Sequence, residues 1–159
     1  MGQYSKFESA TVKTIRRSSS IVEKTKRVQL TNAQVLALRA TPVTLVPAPG
    51  AGKFLELVSA VLFFDRTAVY TETADNLAIK YTDGSGQAAS EAIESTGFLD
   101  AATDAIMPVK PVSSAVILKA ACENAPLVLH NTGDGEFGAG NAANVVTAEV
   151  VYRERATGF

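Results

Sequence analysis

Apolar and polar residues alternate along much of the chain beyond residue 42, the pattern of strands that bury one side in a sheet. The clearest run is 76–82, where Leu77, Ile79 and Tyr81 share one side and smaller or polar residues share the other. Residues 145–155 repeat this alternation. Further strands are predicted at 43–46, 54–64, 114–121 and 127–130.

The run 54–64 differs because it is apolar on both sides over much of its length. Such a strand is predicted at the centre of a sheet, covered on both faces by its own chain, or on one face by another subunit. Residues 83–86, Asp-Gly-Ser-Gly, predict a tight turn after the strand at 76–82. The run 87–95 is ambiguous, and 98–107 fits either a helical turn or a loop.

One short helix is predicted just before these strands. Thr31 would cap it, Gln34 would complete a capping box, and Leu30 would pack onto Val35 as a hydrophobic staple. The helix should end before Pro42, because proline disfavours helical backbone in the residue ahead of it.

Seven or eight strands at short spacings leave almost no room for crossover helices, so the sheets should be mainly antiparallel. The predicted fold is all-β: an antiparallel β-sandwich of jelly-roll type with an extended N-terminal arm and one short helix. The 159 residues suit a single domain of this kind. The longest apolar run, at 57–64, is far shorter than the roughly 20 residues of a membrane-spanning helix, so a soluble protein without a membrane partner is expected.

Charge divides the chain into two parts. Residues 1–27 carry seven basic and two acidic groups, a net charge of +5, whereas the remainder carries eight basic and fourteen acidic groups, a net charge of −6. We therefore predict a basic arm at 1–27 and a β-sandwich domain at 28–159. An arm of this kind is typically a solvated tail, lies on another copy's acidic body, or meets a polyanion. Nucleic acid is disfavoured as its partner, because the basic groups are spread from Lys6 to Arg27 among apolar residues.

Two glycine-rich runs imitate nucleotide-binding loops. The run at 49–54 resembles the end of a phosphate-binding loop, which needs a glycine five residues before Gly52 and a Ser or Thr after Lys53. Pro47 and Phe54 stand at those two positions. Residues 133–138 match the G-x-G-x-x-G pattern, but too little chain follows for the helix and parallel strand that this site needs. We predict that both runs are connections between strands, the second a flexible one.

Candidates for catalysis are few. His130 and Cys122 are the single histidine and cysteine, predicted to be a hydrogen-bonded structural histidine and a buried apolar cysteine. Three carboxylates that could form a glycosidase pair are expected instead to keep their loop solvated: Asp65, Glu72 and Asp75. Three oxygen ligands lack the spacing of a calcium loop: Asn131, Asp134 and Glu136. The sequence thus predicts no enzyme activity, no cofactor and no metal.

Several stretches together resemble a known group of proteins. They are LTNAQ at 30–34, Thr41-Pro42, LVPAPGAGK at 45–53, LVL at 127–129 and GAGNAAN at 138–144, followed by a closing Val/Tyr strand. These resemble small virion proteins of tailed bacteriophages that accompany the major capsid protein, namely capsid cement or decoration proteins with jelly-roll cores. The resemblance covers residues from about 28 to 153 and does not include the arm.

The resemblance implies a structural protein on the virion's capsid surface, assembled in the host cytoplasm. It would bind the major capsid protein as a homo-oligomer, a trimer at a local three-fold point, and clamp neighbouring capsomers. The hypothesis gives the arm the capsid contact, through Lys13, Arg16, Arg17, Lys24, Lys26 and Arg27. Two alternatives stay open: a tail or fibre module, and a self-assembling jelly-roll coat protein whose basic arm faces nucleic acid.

Overall fold

The computed structural model describes residues 21–71 and 75–158. Nearly all regular structure in them is strand, with two helices of five residues or fewer. In chain order the elements are β1 (Glu23–Thr31), α1 (Asn32–Leu36), β2 (Val43–Val46), β3 (Lys53–Asp65), β4 (Tyr70–Thr71), β5 (Leu77–Tyr81), β6 (Ala105–Val109), α2 (Lys119–Cys122), β7 (Leu127–Asn131), β8 (Gly138–Ala139) and β9 (Val145–Ala156).

The strands form three sheets. The large sheet has four strands in the order β1-β9-β3-β6, and the small sheet has three in the order β2-β7-β5. Strands β4 and β8 form a separate two-stranded ribbon. Every pairing between these strands is antiparallel, which confirms the all-β, antiparallel prediction for the described residues.

The inward faces of the large and small sheets contribute to one hydrophobic core. Leu62 and Phe64 of β3 belong to the same buried cluster as Ile79 of β5 and Leu129 of β7. The Phe64 ring lies 5.6 Å from the ring of Tyr70. Because alternate residues of each strand enter this cluster, the period-two pattern of the sequence corresponds to burial.

The predicted helix is confirmed. Thr31 is the N-cap of α1, its hydroxyl accepts a hydrogen bond from the Gln34 main chain, and the Gln34 side chain accepts one from the Thr31 main chain. The helix ends at Leu36, well before Pro42. The N–H groups of Thr31 and Gln34 are thereby satisfied by side chains within the same four residues.

Strand β3 lies inside the large sheet between β9 and β6, as its apolar character predicts. Its residues alternate between buried and half-buried side chains, so only one face is fully covered by residues 21–71 and 75–158. The expectation of cover on both faces is therefore not met by the described part of the chain. Val61 and Phe63 remain half-buried on the outer face of the sheet.

The prediction of a strand at 114–121 is also wrong. Ser114 has a φ of +58°, which interrupts extended structure, and α2 begins at Lys119. The ambiguous run 87–95 forms isolated bridges, and the chain from 98 to 107 enters β6 at Ala105.

The boundary predicted between arm and body falls inside a strand. Strand β1 spans residues 23–31 and pairs with β9 at nine positions, from Glu23 opposite Arg153 to Thr31 opposite Val145. The predicted arm residues 1–20 lie outside the described part of the chain. Neither helix in the described residues has the length or hydropathy to cross a membrane.

Candidate interaction surfaces

Strand β1 is tied to β9 by a row of ion pairs that we call the charge ladder. Its members are Lys24–Glu154 at 2.5 Å, Arg27–Glu149 at 3.8 Å, and Glu23–Arg153. The pairs form because antiparallel register places oppositely charged residues opposite or diagonal to one another. The first half of β1 is exposed on both faces, so this ladder and the backbone hydrogen bonds hold it.

The ion pair between Lys24 and Glu154 favours the charged form of both side chains. The hydrogen bond between Lys24 and Glu154 raises the pKa of the lysine and lowers the pKa of the glutamate. Both side chains are substantially exposed, so water and salt screen the attraction. The ladder therefore favours one register of β1 while adding little to the free energy of unfolding.

The structure locates three of the six predicted capsid-contact residues. Lys24 and Arg27 lie in the charge ladder and already have carboxylate partners within their own chain. Lys26 is exposed and forms no ion pair with any described residue. Lys13, Arg16 and Arg17 lie outside the described residues.

Arg27 also covers part of the outer face of the large sheet. Its guanidinium lies 5.5 Å from the centroid of the Phe63 ring, a cation–π arrangement. Thr147, opposite Phe63 in the register, is buried although it belongs to this outer face. Ile106 of the edge strand β6, opposite Phe63 on its other side, remains 66% exposed.

A second surface is aliphatic and lies between β6 and α2. Val116 and Leu118 are 78% and 61% exposed, and we call this pair the aliphatic rim. The Gln87 side chain donates to the Val116 carbonyl at 2.9 Å and accepts from the Leu118 N–H at 3.0 Å. The Gln87 side chain thus supplies two main-chain hydrogen bonds of the kind that a partner strand would supply. The Val116 and Leu118 side chains stay exposed to solvent.

Ile117, the residue between the two members of the aliphatic rim, lines a mostly apolar cavity of about 330 Å³. Phe54, Ile117 and Cys122 contribute to its lining. Cys122 is buried, as predicted, and burial raises the pKa of its thiol. A thiol kept protonated in this way is a poor nucleophile.

The structure describes two of the three carboxylates considered for catalysis, and they have different surroundings. Asp65 is exposed at the end of β3, and Glu72 lies outside the described residues. Asp75 is 3% exposed and accepts hydrogen bonds from the Asn131 side chain and the Asp134 N–H. The expectation that it is solvated is wrong: its carboxylate organises the loop that follows β7.

The two glycine-rich runs are connections between strands, as predicted. Residues 49–54 lead from β2 into β3, with Gly50 and Gly52 at positive φ. Residues 133–138 lead from β7 into β8, where Glu136 accepts hydrogen bonds from the N–H groups of Arg39 and Ala40. The second loop is fastened at several points, so the expectation of a flexible connection is not supported.

His130 is only partly satisfied in its hydrogen bonding, with the Arg39 main chain acting on the ring as a partner. It is 8% exposed, yet its Nδ1 is buried without a hydrogen-bond partner of standard geometry among the described residues. Cys122 lines a different pocket, so the two do not form a nucleophile and base pair. The described residues contain no cluster of three or more His, Cys, Asp or Glu side chains suited to a metal ion.

Sequence reasoning missed the aliphatic rim and its glutamine. Val116 and Leu118 alternate with Ile117, and this alternation resembles a strand whose partner is a sheet. The partner is the side chain of Gln87, twenty-nine residues earlier, which no local pattern reveals. The positive φ at Ser114 is likewise invisible, because serine is not a residue that signals it.

Comparison with known proteins gives no assignment: no family model, curated protein or solved structure matches the chain.

Proposed function

We propose that the chain is a structural virion protein of a tailed bacteriophage, a capsid cement or decoration protein. In this proposal the strands close into a jelly-roll sandwich, the β-core forms an oligomer, and the N-terminal arm binds the major capsid protein. The observation that carries the proposal is β1: a strand with an exposed, charged first half that is fixed to the edge of the large sheet at the base of a basic segment.

The fixed base gives the basic segment a defined origin. Residues 1–20 carry four basic groups and one acidic group, a net charge of +3. They join the body at Ile21 and Val22, which are 50% and 62% exposed and therefore attach outside the core. Twenty extended residues span up to about 65 Å, enough to reach a neighbouring subunit of a shell. Such a segment buries much surface per residue, although its ordering costs entropy.

The aliphatic rim supports an oligomeric core. Exposed aliphatic side chains next to an apolar cavity are typical of surfaces that contact another protein. The Gln87 hydrogen bonds fix the rim in advance, so little conformational entropy is lost on association. We assign this contact to a second copy of the chain, since several arms on one oligomer raise the avidity for a shell.

The arm is tested on phage heads stripped of this protein. The chain lacking residues 1–20 is expected to bind at least about tenfold more weakly than the full chain, because a multivalent charged contact is lost. A full-length variant with Gln at Lys6, Lys13, Arg16 and Arg17 separates charge from length. Equal affinity of the shortened and full chains would refute the role of the arm.

The oligomer is tested by sedimentation of the double variant Val116→Ser, Leu118→Ser. It should dissociate, whereas Ile106→Ser, a change at an equally exposed aliphatic residue on the large sheet, should not. Binding to isolated tails instead of heads would favour the tail or fibre alternative. Particles formed by the chain alone, with nucleic acid inside, would favour the coat-protein alternative.

A further inference from the structure

A second pocket, unrelated to the arm or the aliphatic rim, opens between β5, β7 and the turn after α1. Its volume is about 500 Å³. The lining holds basic, hydroxyl and glycine residues and no carboxylate: Arg39, Lys80, Gly84, Ser85, His130 and Thr132.

The imidazole of His130 forms part of the pocket wall. Its Nε2 edge faces Gly84, and a Cβ added to that glycine would lie only 2.5 Å from Nε2. Gly84 therefore packs against this edge of the ring, where no side chain would fit. The ring is more than nine-tenths buried, and its Nδ1 has no standard hydrogen-bond partner among the described residues. The main chain of Arg39 nevertheless acts on the ring as a hydrogen-bond partner and favours the imidazolium.

Two cations flank the histidine. The Lys80 ammonium donates to the Gly84 carbonyl, which fixes it beside the pocket and leaves two of its three N–H donors available. The Arg39 side chain is exposed. Neither residue forms an ion pair with the described residues, in contrast to the arginines of β9, which do.

The nearest carboxylates are already occupied by the main chain. Both oxygens of Glu136 accept from N–H groups, those of Arg39 and Ala40 at 2.9 and 2.8 Å. One oxygen of Asp83 accepts from the N–H and the hydroxyl of Ser85. These carboxylates shape the two loops around the pocket. The side chains of Arg39 and Lys80 are left without an ion pair to any described residue.

We propose that this pocket binds a free tetrahedral oxyanion, inorganic phosphate or sulfate, between Arg39 and Lys80 and beside the ring of His130. Arginine supplies a planar fork of donors and lysine a compact positive charge, the usual combination around such anions. The hydroxyls of Ser85 and Thr132 lie in the same lining but already donate to Asp83 and to the Asn76 carbonyl, so the anion would be held by the two cations and the histidine.

The test uses His130 as its own reporter. It is the only histidine in the sequence, so its ring signals in a proton NMR spectrum need no separation from others. Sodium sulfate is titrated against sodium chloride at matched ionic strength. Sulfate should shift the ring signal saturably and raise the pKa of His130, because a bound anion favours the imidazolium over the opposing Lys80 and Arg39 charges. Glu136, which also favours the imidazolium, and Asp83, near Lys80, are present in both titrations.

Matched variants make the result specific. Arg39→Gln and Lys80→Gln should each weaken sulfate binding about tenfold, because each removes a charge-assisted hydrogen bond. Lys110→Gln, a change at an exposed lysine that is also without an ion pair in the described residues, should leave the affinity unchanged. Phosphate should behave as sulfate does. The proposal is overturned if sulfate acts no differently from chloride, if acetate binds as tightly, or if Lys80→Gln responds as the unchanged chain does.

Discussion

Asp75 and His130 are both buried polar residues that pack against a glycine, yet their surroundings are opposite. The carboxylate of Asp75 accepts hydrogen bonds from Asn131 and Asp134, and a Cβ on Gly133 would lie 1.7 Å from its Oδ1. The ring of His130 lies against Gly84 beside an open pocket and leaves Nδ1 without a standard partner.

The difference separates a structural group from a binding group. A buried carboxylate whose oxygens are occupied costs little to keep and much to remove, because its donors would be left unpaired. A buried ring with a poorly partnered nitrogen costs stability, so its replacement by an apolar side chain should cost little. Removing each residue should therefore affect the fold very differently.

The largest effect is expected from Asp75→Ala. It leaves the Asp134 N–H without its acceptor and removes one of the two acceptors of the Asn131 amide, so the free energy of unfolding should fall by about 3 kcal/mol. Urea unfolding followed by circular dichroism measures this. A loss similar to that of an exposed carboxylate such as Asp65→Ala would mean that Asp75 does not organise the loop.

The next effect is expected from Gly133→Ala. The added methyl overlaps the Asp75 carboxylate, and the forced displacement should cost about 2 kcal/mol in the same assay. In the Asp75→Ala background part of that cost should disappear, since Oδ1 and Cγ are absent while the Asp75 Cβ, 2.5 Å from the added methyl, remains. Additive costs in the double variant would show that Gly133 is required for a different reason.

A smaller effect is expected from Gly84→Ala. The Cβ also approaches a ring, but His130 can shift toward the neighbouring pocket, so the loss should stay near or below about 1 kcal/mol. The same change should weaken the sulfate response described above, because the displaced ring narrows the pocket. A loss as large as that of Gly133→Ala would contradict the contrast between the two glycines.

The smallest expected effect is the dependence of stability on pH that His130 contributes. Burial, followed by the charge of Lys80, lowers the pKa of His130, although the Arg39 main chain and Glu136 oppose this. The unfolded chain therefore takes up the proton first. Stability from this residue is complete above the ordinary histidine pKa and is lost as pH falls toward the lower value of the folded state.

His130→Leu isolates that term. The variant should unfold within about 0.5 kcal/mol of the parent above neutral pH, because an apolar side chain replaces a poorly partnered ring. In chloride buffer, the parent should lose stability relative to the variant between about pH 7 and 5, the range in which histidine titrates. An identical pH dependence of the two proteins would show that His130 titrates alike in the folded and unfolded chains.

The sequence identified what local chemistry determines. Thr31 and Gln34 form a capping box within four residues, and the strand at Val43–Val46 carries its stop signal in the residues that follow. Strand β1 was missed because the first five of its side chains are exposed on both faces, so no alternation marks them. Its partner, β9, lies more than a hundred residues later.

The candidate sites were less predictable than the fold. Arg39, Lys80 and His130 come together only through the pairing of β5 with β7 and the turn after α1, and each looks ordinary in its own stretch of sequence. The charge split did indicate an interaction between basic and acidic segments. It could not reveal that Lys24 and Arg27 pair with glutamates of their own chain.

The pairing of β1 with β9 has a mechanical consequence. Tension on the residues before Glu23, directed along the strand, loads all nine paired positions together in shear. The hydrogen bonds between β1 and β9 must then break together. Tension directed away from the sheet instead peels the strand open one pair at a time from Glu23. A strand fixed in this way resists a pull along its axis far better than a pull across it. The body can therefore transmit lateral strain between two points of attachment and still be lifted off in the perpendicular direction.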